Sequence, residues 1–314
     1  MAAYLARRLL FAIFLVFFVS SASLVLTRLA PGDFVSGTLG IGATPEMIAE
    51  ARARYGLDRS IGAQYRDWLG RAVRFDFGRS LAYDRPVAEL VPERALNTAV
   101  LTATALLLAT LVGLPLGVVT GSRRGGVVTE AIRGGSVLLL SMPPLLTSLF
   151  LVFAAARTGW VPIGGMRSVS EESGALDLAR HMVVPVLALA LPIAAMFERL
   201  QAQAMSETLG EPFVLATLSR GVPRRRILWR DALRVALKPI ASVYGLVAGT
   251  LLSGSFAVEI TTAWPGLGRL MLDALRARDV YLVAGCAAAG SVFLAFGTLL
   301  SDAALAAVDP RSTQ

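Results

Sequence analysis

The chain has 314 residues, 55% of them hydrophobic and only 17% charged, with a net charge of +8. That balance is too apolar for an ordinary soluble domain and fits a multi-pass membrane protein. Arginine carries nearly all the positive charge, because Lys238 is the only lysine, and positive-inside topology accounts for this bias without nucleic-acid binding.

Arg7 and Arg8 precede an apolar run from Leu9 to about Thr27. The small residues Ser20 to Ser23 would also suit a cleavable signal, yet the run is about 18 to 20 residues, long enough to span. With five further spans behind it, residues 1–29 read as a retained first helix whose N-terminus lies in the cytoplasm. Residues 30–95 form the one large polar insertion. Thr44 as N-cap, Pro45, Glu46 in the first turn and Gly56 after Tyr55 delimit one helix there; Tyr65, Trp68, Leu69 and Val73 recur at helical spacing in a second. Acids and arginines are balanced, so the segment can cross the membrane as a small helical outer-face subdomain, a lid or docking surface.

Asn97 and Thr98 open a second span in which Gly113, Gly117 and Gly121 recur every four residues. This puts a smooth stripe on one helix face and lets another helix approach closely. Arg123, Arg124 and Arg133 mark a cytoplasmic loop before a third span, about Gly134 to Ala156, interrupted by Pro143-Pro144. Two adjacent prolines remove two backbone donors, so a kink or break is expected. A second outer loop, Arg157 to Arg180, is rich in Gly, Ser and acids. The fourth span, about His181 to Phe197, contains Pro185 and Pro192, and the lone His181 at its outer end reads as a solvated interfacial residue.

Residues 199–238 are the longest inside segment, with eight basic residues against three acids. Glu211 and Pro212 suit a helix start, where unpaired N–H groups and positive partial charge favour an acid and a fixed φ. Gly221 suits a C′ position, and Pro223 both stops that helix and opens another. A short helix closed by a glycine elbow makes a compact knob, able to dock in a groove and pass a push into its attached helices. Pro239 opens the fifth span, to about Val258, where Gly245, Gly249 and Ser253 make a second small-residue stripe for packing within the chain or against another subunit. Glu259, Trp264-Pro265-Gly266-Leu267-Gly268 and Arg278-Asp279 read as an outer loop. The last span runs from about Tyr281 to Leu300, near Asp302, and contains the single cysteine, Cys286, which excludes an intrachain disulfide.

Two of these segments carry a specific family resemblance. Phe213, Val214, Arg220, Gly221, Arg225, Arg226, Ile227, Arg230, Ala232, Leu233, Arg234, Ala236, Leu237 and Pro239 resemble the coupling loop of permease subunits of bacterial ABC importers, in the dipeptide, oligopeptide and nickel branch. Thr217 and Ser219 stand where that family usually has alanine, and Leu218 where it has arginine. The small size needed for docking is kept. Glu259, Pro265, Gly266, Gly268, Arg278 and Asp279 resemble the branch's outer-face signature, with Thr262 in place of a phenylalanine. Pro31-Gly32-Asp33, Phe77-Gly78-Arg79-Ser80 and the terminal Asp309-Pro310-Arg311 extend the likeness over nearly the whole chain.

The resemblance implies an all-α polytopic fold with six transmembrane helices, like a type I ABC importer permease, its core spanning residues 96–314. It further implies a second permease subunit, two cytoplasmic ATPase subunits and an extracytoplasmic substrate-binding protein as partners. Glu211, Phe213, Ala216, Thr217, Ser219, Arg220, Gly221, Arg225 and Arg226 would form the ATPase-coupling loop. No cofactor would sit on this chain; ATP and Mg would be held by the partners, in a bacterial inner membrane.

The absences agree. No ionisable residue lies centrally in any span, with Glu198, Arg199, Glu259 and Asp302 falling near span ends, so no proton relay is evident. Lys238-Pro239 cannot belong to a phosphate-binding G-x-x-x-x-G-K-[ST] loop. Energy must come from a partner through the glycine-elbowed loop. From the residues alone, a passive facilitator and a membrane scaffold without transport remain open alternatives.

Overall fold

The computed structural model describes residues 2–39, 43–123, 125–168 and 174–308, with backbone alone at 2–5, 252–253 and 300–308. Arg124, Asp309-Pro310-Arg311, part of the second outer loop and the Ser253 side chain lie outside the described residues. Chain order runs α1 (Ala2–Leu29), α2 (Phe34–Leu39), α3 (Pro45–Arg54), α4 (Ile61–Ala72) and α5 (Val87–Ser122). Then come α6 (Val127–Ser141), α7 (Pro144–Thr158), α8 (Ala175–Leu209) and α9 (Pro212–Ser219). A short α10 (Arg224–Arg226), a π-helical stretch (Ile227–Ala232) and α11 (Leu233–Ala236) lead into α12 (Lys238–Thr261), α13 (Leu267–Ala277) and α14 (Val280–Val308).

Among the described residues four helices, α1, α5, α8 and α14, are long and apolar enough to cross a bilayer. Two bent pairs meet the same test, α6 with α7 and the 224–236 segment with α12, giving six spans when each pair counts as one. The fold is therefore all-α and polytopic. Pro143-Pro144 breaks its span outright. The two halves meet at 107°, because Pro143 is held extended (φ −58°, ψ 146°) by the proline after it while Pro144 starts α7. By contrast Pro185 and Pro192 lie inside the unbroken α8. At 1.5 Å per residue its 35 residues reach about 52 Å, well beyond a hydrocarbon core of about 30 Å. The fourth span thus occupies only the middle of a longer rod.

The chain forms two compact units, residues 1–98 with 265–295, and residues 99–264 with 296–314. In the first, Trp68 is fully buried against Leu24, Ala72, Val280 and Ala284. Val87, Leu90 and Val91 pack on Leu267, Leu270 and Ala274 of α13 and on Leu282, Val283 and Cys286 of α14. Helix α3 starts as its sequence dictates: the Thr44 hydroxyl accepts the N–H of Met47 and Gly56 takes φ +66°. Helix α4 ends one residue sooner than its spacing suggests. Ala72 is buried and Val73, expected on the inner face, is exposed at the cap.

In the second unit, Leu101, Ala105 and Ala109 of α5, Leu189 and Phe197 of α8, and Ile240, Val247 and Leu251 of α12 share one core. Phe197 stacks on Tyr244 with ring centroids 5.7 Å apart. His181 is buried, not solvated, its Nδ1 2.9 Å from the Asp177 carbonyl oxygen and 3.3 Å from its carboxylate. A carboxylate one turn away supplies the partner that makes burial tolerable.

Candidate functional site

The glycine stripes come first, since they set helix positions. A Cβ on Gly117 would fall 2.5 Å from Cβ of Gln201 and 2.6 Å from the Glu198 carbonyl oxygen, and one on Gly113 would fall 2.5 Å from the Ala194 carbonyl oxygen. Gly121 meets Ala202 just as closely. Helix α5 therefore lies directly on the backbone of α8 over two turns, a distance only glycine permits. On α12, Gly245 and Gly249 are buried, and a Cβ on Gly297 of α14 would lie 3.0 Å from the Gly249 Cα.

Beyond α8 the chain turns through Gly210 into the knob. Glu211 is the N-cap of α9 in extended conformation and Pro212 is its first residue. The far end closes with a paired motif: the N–H of Gly221 donates to Leu218 O at 2.9 Å and that of Val222 to Thr217 O at 3.4 Å, with Gly221 at φ +77°. Arg220 is the C-cap. The hydroxyls of Thr217 and Ser219 donate back to the carbonyls of Phe213 and Leu215, so neither offers its proton outward. Val214 alone on this helix points inward, while Phe213, Leu215 and Leu218 are exposed and Ala216 lies beside them. Arg225 and Arg226 are exposed on α10 at the foot of the knob. The result is a short apolar helix held on a rigid stop, with a cationic collar.

The residues expected on the outer face are not the loop that their glycines and prolines suggest. Glu259 is fully buried near the end of α12, where its Oε1 accepts from Ser255 and its carbonyl accepts the N–H of the buried Trp264. Gly266 caps α13, and Leu267, Gly268, Leu270 and Ala274 form its buried face. The Asn97 amide donates to Pro265 O at 2.9 Å and the Leu267 N–H to the Thr98 hydroxyl at 2.8 Å, so the start of the second span holds the Pro-Gly turn. Arg278 ends α13 in the left-handed region (φ 56°) and donates to Pro31 O. Asp279 is fully buried. It accepts from Ser80 Oγ at 2.6 Å, Ala82 N at 3.0 Å and Leu282 N at 3.1 Å, capping α14 and fixing the 78–86 turn at once.

Sequence reasoning leaves out one further cluster. Glu198, expected near a span end, sits inside α8 and is 1% exposed. Its Oε1 lies 2.5 Å from the Thr120 hydroxyl of α5. Its Oε2 has no hydrogen-bond partner among the described residues, nor does either amide atom of the buried Gln201 one turn on.

Fold and site together define a polytopic α-helical membrane protein with an exposed, glycine-stopped helix set between two of its spans. Residues 113–314 match the family described as binding-protein-dependent transport system inner membrane component, and residues 1–102 match the N-terminal region described for such membrane components. The chain is 30% identical over 313 residues to the oligopeptide transport system permease protein AppB of Bacillus subtilis, covering 99% of each. It is 32% identical to the di/tripeptide transport system permease protein DppB of Pseudomonas aeruginosa, covering 90% of each, and 31% identical to the oligopeptide permease OppB of Mycobacterium tuberculosis, covering 99% of each. The chain belongs to this family and is a transmembrane permease component of an ABC importer.

Proposed function

We propose that this permease, paired with a second one, forms the membrane path for short peptides, driven by two cytoplasmic ATPase subunits and fed by an extracytoplasmic binding protein. The peptide assignment follows the names of its relatives for oligopeptides and di/tripeptides. Both termini and residues 199–238 lie in the cytoplasm of a cell whose inner membrane holds the chain, because that segment carries eight basic residues against three acids. Residues 30–95 form the outer subdomain ahead of the 96–314 core.

The observation that carries this reading is the knob. Helix α9 presents Phe213, Leu215 and Leu218 bare beside Ala216, Thr217 and Ser219, and apolar side chains left uncovered on an otherwise rigid helix suit a groove on another protein. Arg220, Arg225 and Arg226 ring it with charge for steering. ATP and Mg bind the ATPases; their closure moves α9, and α8 and α12 carry that motion into the bent spans, which open outward to receive peptide. Glu259, Pro265, Gly266, Gly268, Arg278 and Asp279 keep the outer end in register, and hydrolysis resets the cycle.

The test substitutes Gly221 with Val in the assembled importer in proteoliposomes. A side chain at φ +77° costs about 1–2 kcal/mol and tilts the knob. Peptide uptake should fall at least tenfold while insertion persists and ATP hydrolysis no longer responds to loaded binding protein. Undiminished, responsive uptake would refute the coupling role.

A further inference from the structure

Between α6 and α8 the second unit holds a cavity of about 700 Å³. Its charged walls are mixed: Arg133 and Arg199 supply cations, and Glu198 and Glu207 supply anions, with Val137 and Leu200 between them. Arg133 is partly engaged, donating to Thr120 O at 3.2 Å and facing Glu130 at 3.3 Å. Glu207 accepts from Gln203 at 3.1 Å and keeps its other oxygen. Glu198 also lines the cavity, with one carboxylate oxygen tied to Thr120 and the other buried and unpartnered. A buried carboxylate oxygen without a donor is a costly feature, and the Gln201 amide one turn on is unpartnered as well. It calls for a cationic ligand group, and the flanking guanidinium of Arg199 calls for an anionic one.

Position gives the cavity a consequence. Glu207 lies in the last turn of α8, and the N–H of Glu211, the cap of the knob helix, donates to Thr208 O at 3.1 Å. A ligand bridging α6 and α8 here would brace the segment through which the knob drives α8. We propose that this cavity is an inhibitory site for a zwitterion of the amino acid or dipeptide class, its ammonium group toward Glu198 and Glu207 and its carboxylate toward Arg199 and Arg133. Lying on the knob side of the unit, it would sense imported product. The assignment of product rests on the peptide-importer reading; the ligand chemistry rests on the cavity alone.

The experiment measures equilibrium binding of radiolabelled dialanine to the purified whole importer without binding protein, with N-acetyl-dialanine amide as an uncharged competitor. Saturable binding, untouched by the capped peptide and weakened at least tenfold in both Arg199→Gln and Glu207→Gln, is expected. Both substituted residues are exposed, so these variants stay folded where the buried Glu198→Gln need not. In proteoliposomes, dialanine added on the ATP side should inhibit uptake, and the two variants should escape. Absence of saturable binding, equal competition by the capped peptide, or unchanged affinity in both variants overturns the site. Failure of dialanine to be carried at all, with cavity binding intact, would count against the peptide reading and leave the site standing.

Discussion

The hydroxyl of Ser80 donates to Oδ2 of Asp279 at 2.6 Å across 199 residues of chain. Asp279 also accepts two backbone N–H groups, from Ala82 and Leu282, so one carboxylate closes the 78–86 turn and starts the final helix. Hydrogen bonds to a charged acceptor contribute about 1.5–3 kcal/mol each, and their loss leaves buried donors orphaned. Asp279→Ala should therefore lower the unfolding temperature of the detergent-solubilised chain by several degrees, and Ser80→Ala by less, since it removes one donor to Asp279 and the acceptor of the Tyr83 N–H but leaves the backbone pair on Asp279 intact. Thermal unfolding followed by size-exclusion checks this; equal losses in the two variants would contradict the division of labour.

The same logic of close approach applies to Gly117, whose missing Cβ lets α5 rest on Gln201 and Glu198 of α8. Overpacking of this kind costs about 1–3 kcal/mol, and more when backbone is the obstacle. Gly117→Val should reduce the folded monodisperse fraction severalfold. Gly134, where an added Cβ meets nothing within 4 Å, should accept alanine without loss of yield. Fluorescence-detected size-exclusion of both variants gives the comparison.

Legibility in the sequence follows the range of the forces. The start of α3 at Thr44-Pro45, the stop at Gly221 and the break at Pro143-Pro144 are written locally, because each depends on the φ or the hydrogen-bonding groups of adjacent residues. Helix α13 is written too, in the apolar spacing of Leu267, Leu270, Met271 and Ala274, yet Gly266, Gly268 and the Arg278-Asp279 turn mask it as loop. What the sequence conceals is pairing at long range. Nothing near Ser80 announces Asp279, and nothing near Glu198 announces Thr120 on a helix 78 residues earlier. Burial of His181 falls between these cases, since its partner Asp177 is one turn away but only packing reveals that water is excluded.

In the polar segment of residues 30–95, Asp33 supplies a pH-dependent contact. Burial alone would raise its pKa, but the N–H of Ser36, the Arg52 side chain 2.6 Å away and the Ser36 hydroxyl outweigh that and hold the carboxyl below its ordinary 3.8. A depressed folded-state value means the contribution is fully present above the unfolded value, near pH 4, and is lost as pH falls through the lower folded one. Unfolding temperature measured from pH 7 to pH 3 should therefore show the advantage of the native chain over Asp33→Asn constant down to about pH 5 and narrowing steadily as pH falls below about 4. A gap of the same size at pH 5 and pH 3 would assign the effect to shape instead of charge.

The break between α6 and α7 is set by its two prolines. Helix α7 leaves the break at 107° and is held against α12, where the Thr261 hydroxyl donates to Ser148 Oγ at 2.8 Å. Proline in a helix interior costs about 3 kcal/mol or more, so Pro143-Pro144 keeps α6 and α7 from fusing. Replacing both by alanine removes that barrier and lets the segment straighten into one membrane-length helix, carrying Ser148 away from Thr261. Ser148→Cys with Thr261→Cys should form a disulfide under mild oxidation in the parent, where Cys286 is buried and silent. In the Pro143→Ala/Pro144→Ala background the crosslink should fall at least tenfold, with membrane insertion unchanged. An undiminished crosslink would mean that packing against α8 and α12, and not the prolines, sets the bend.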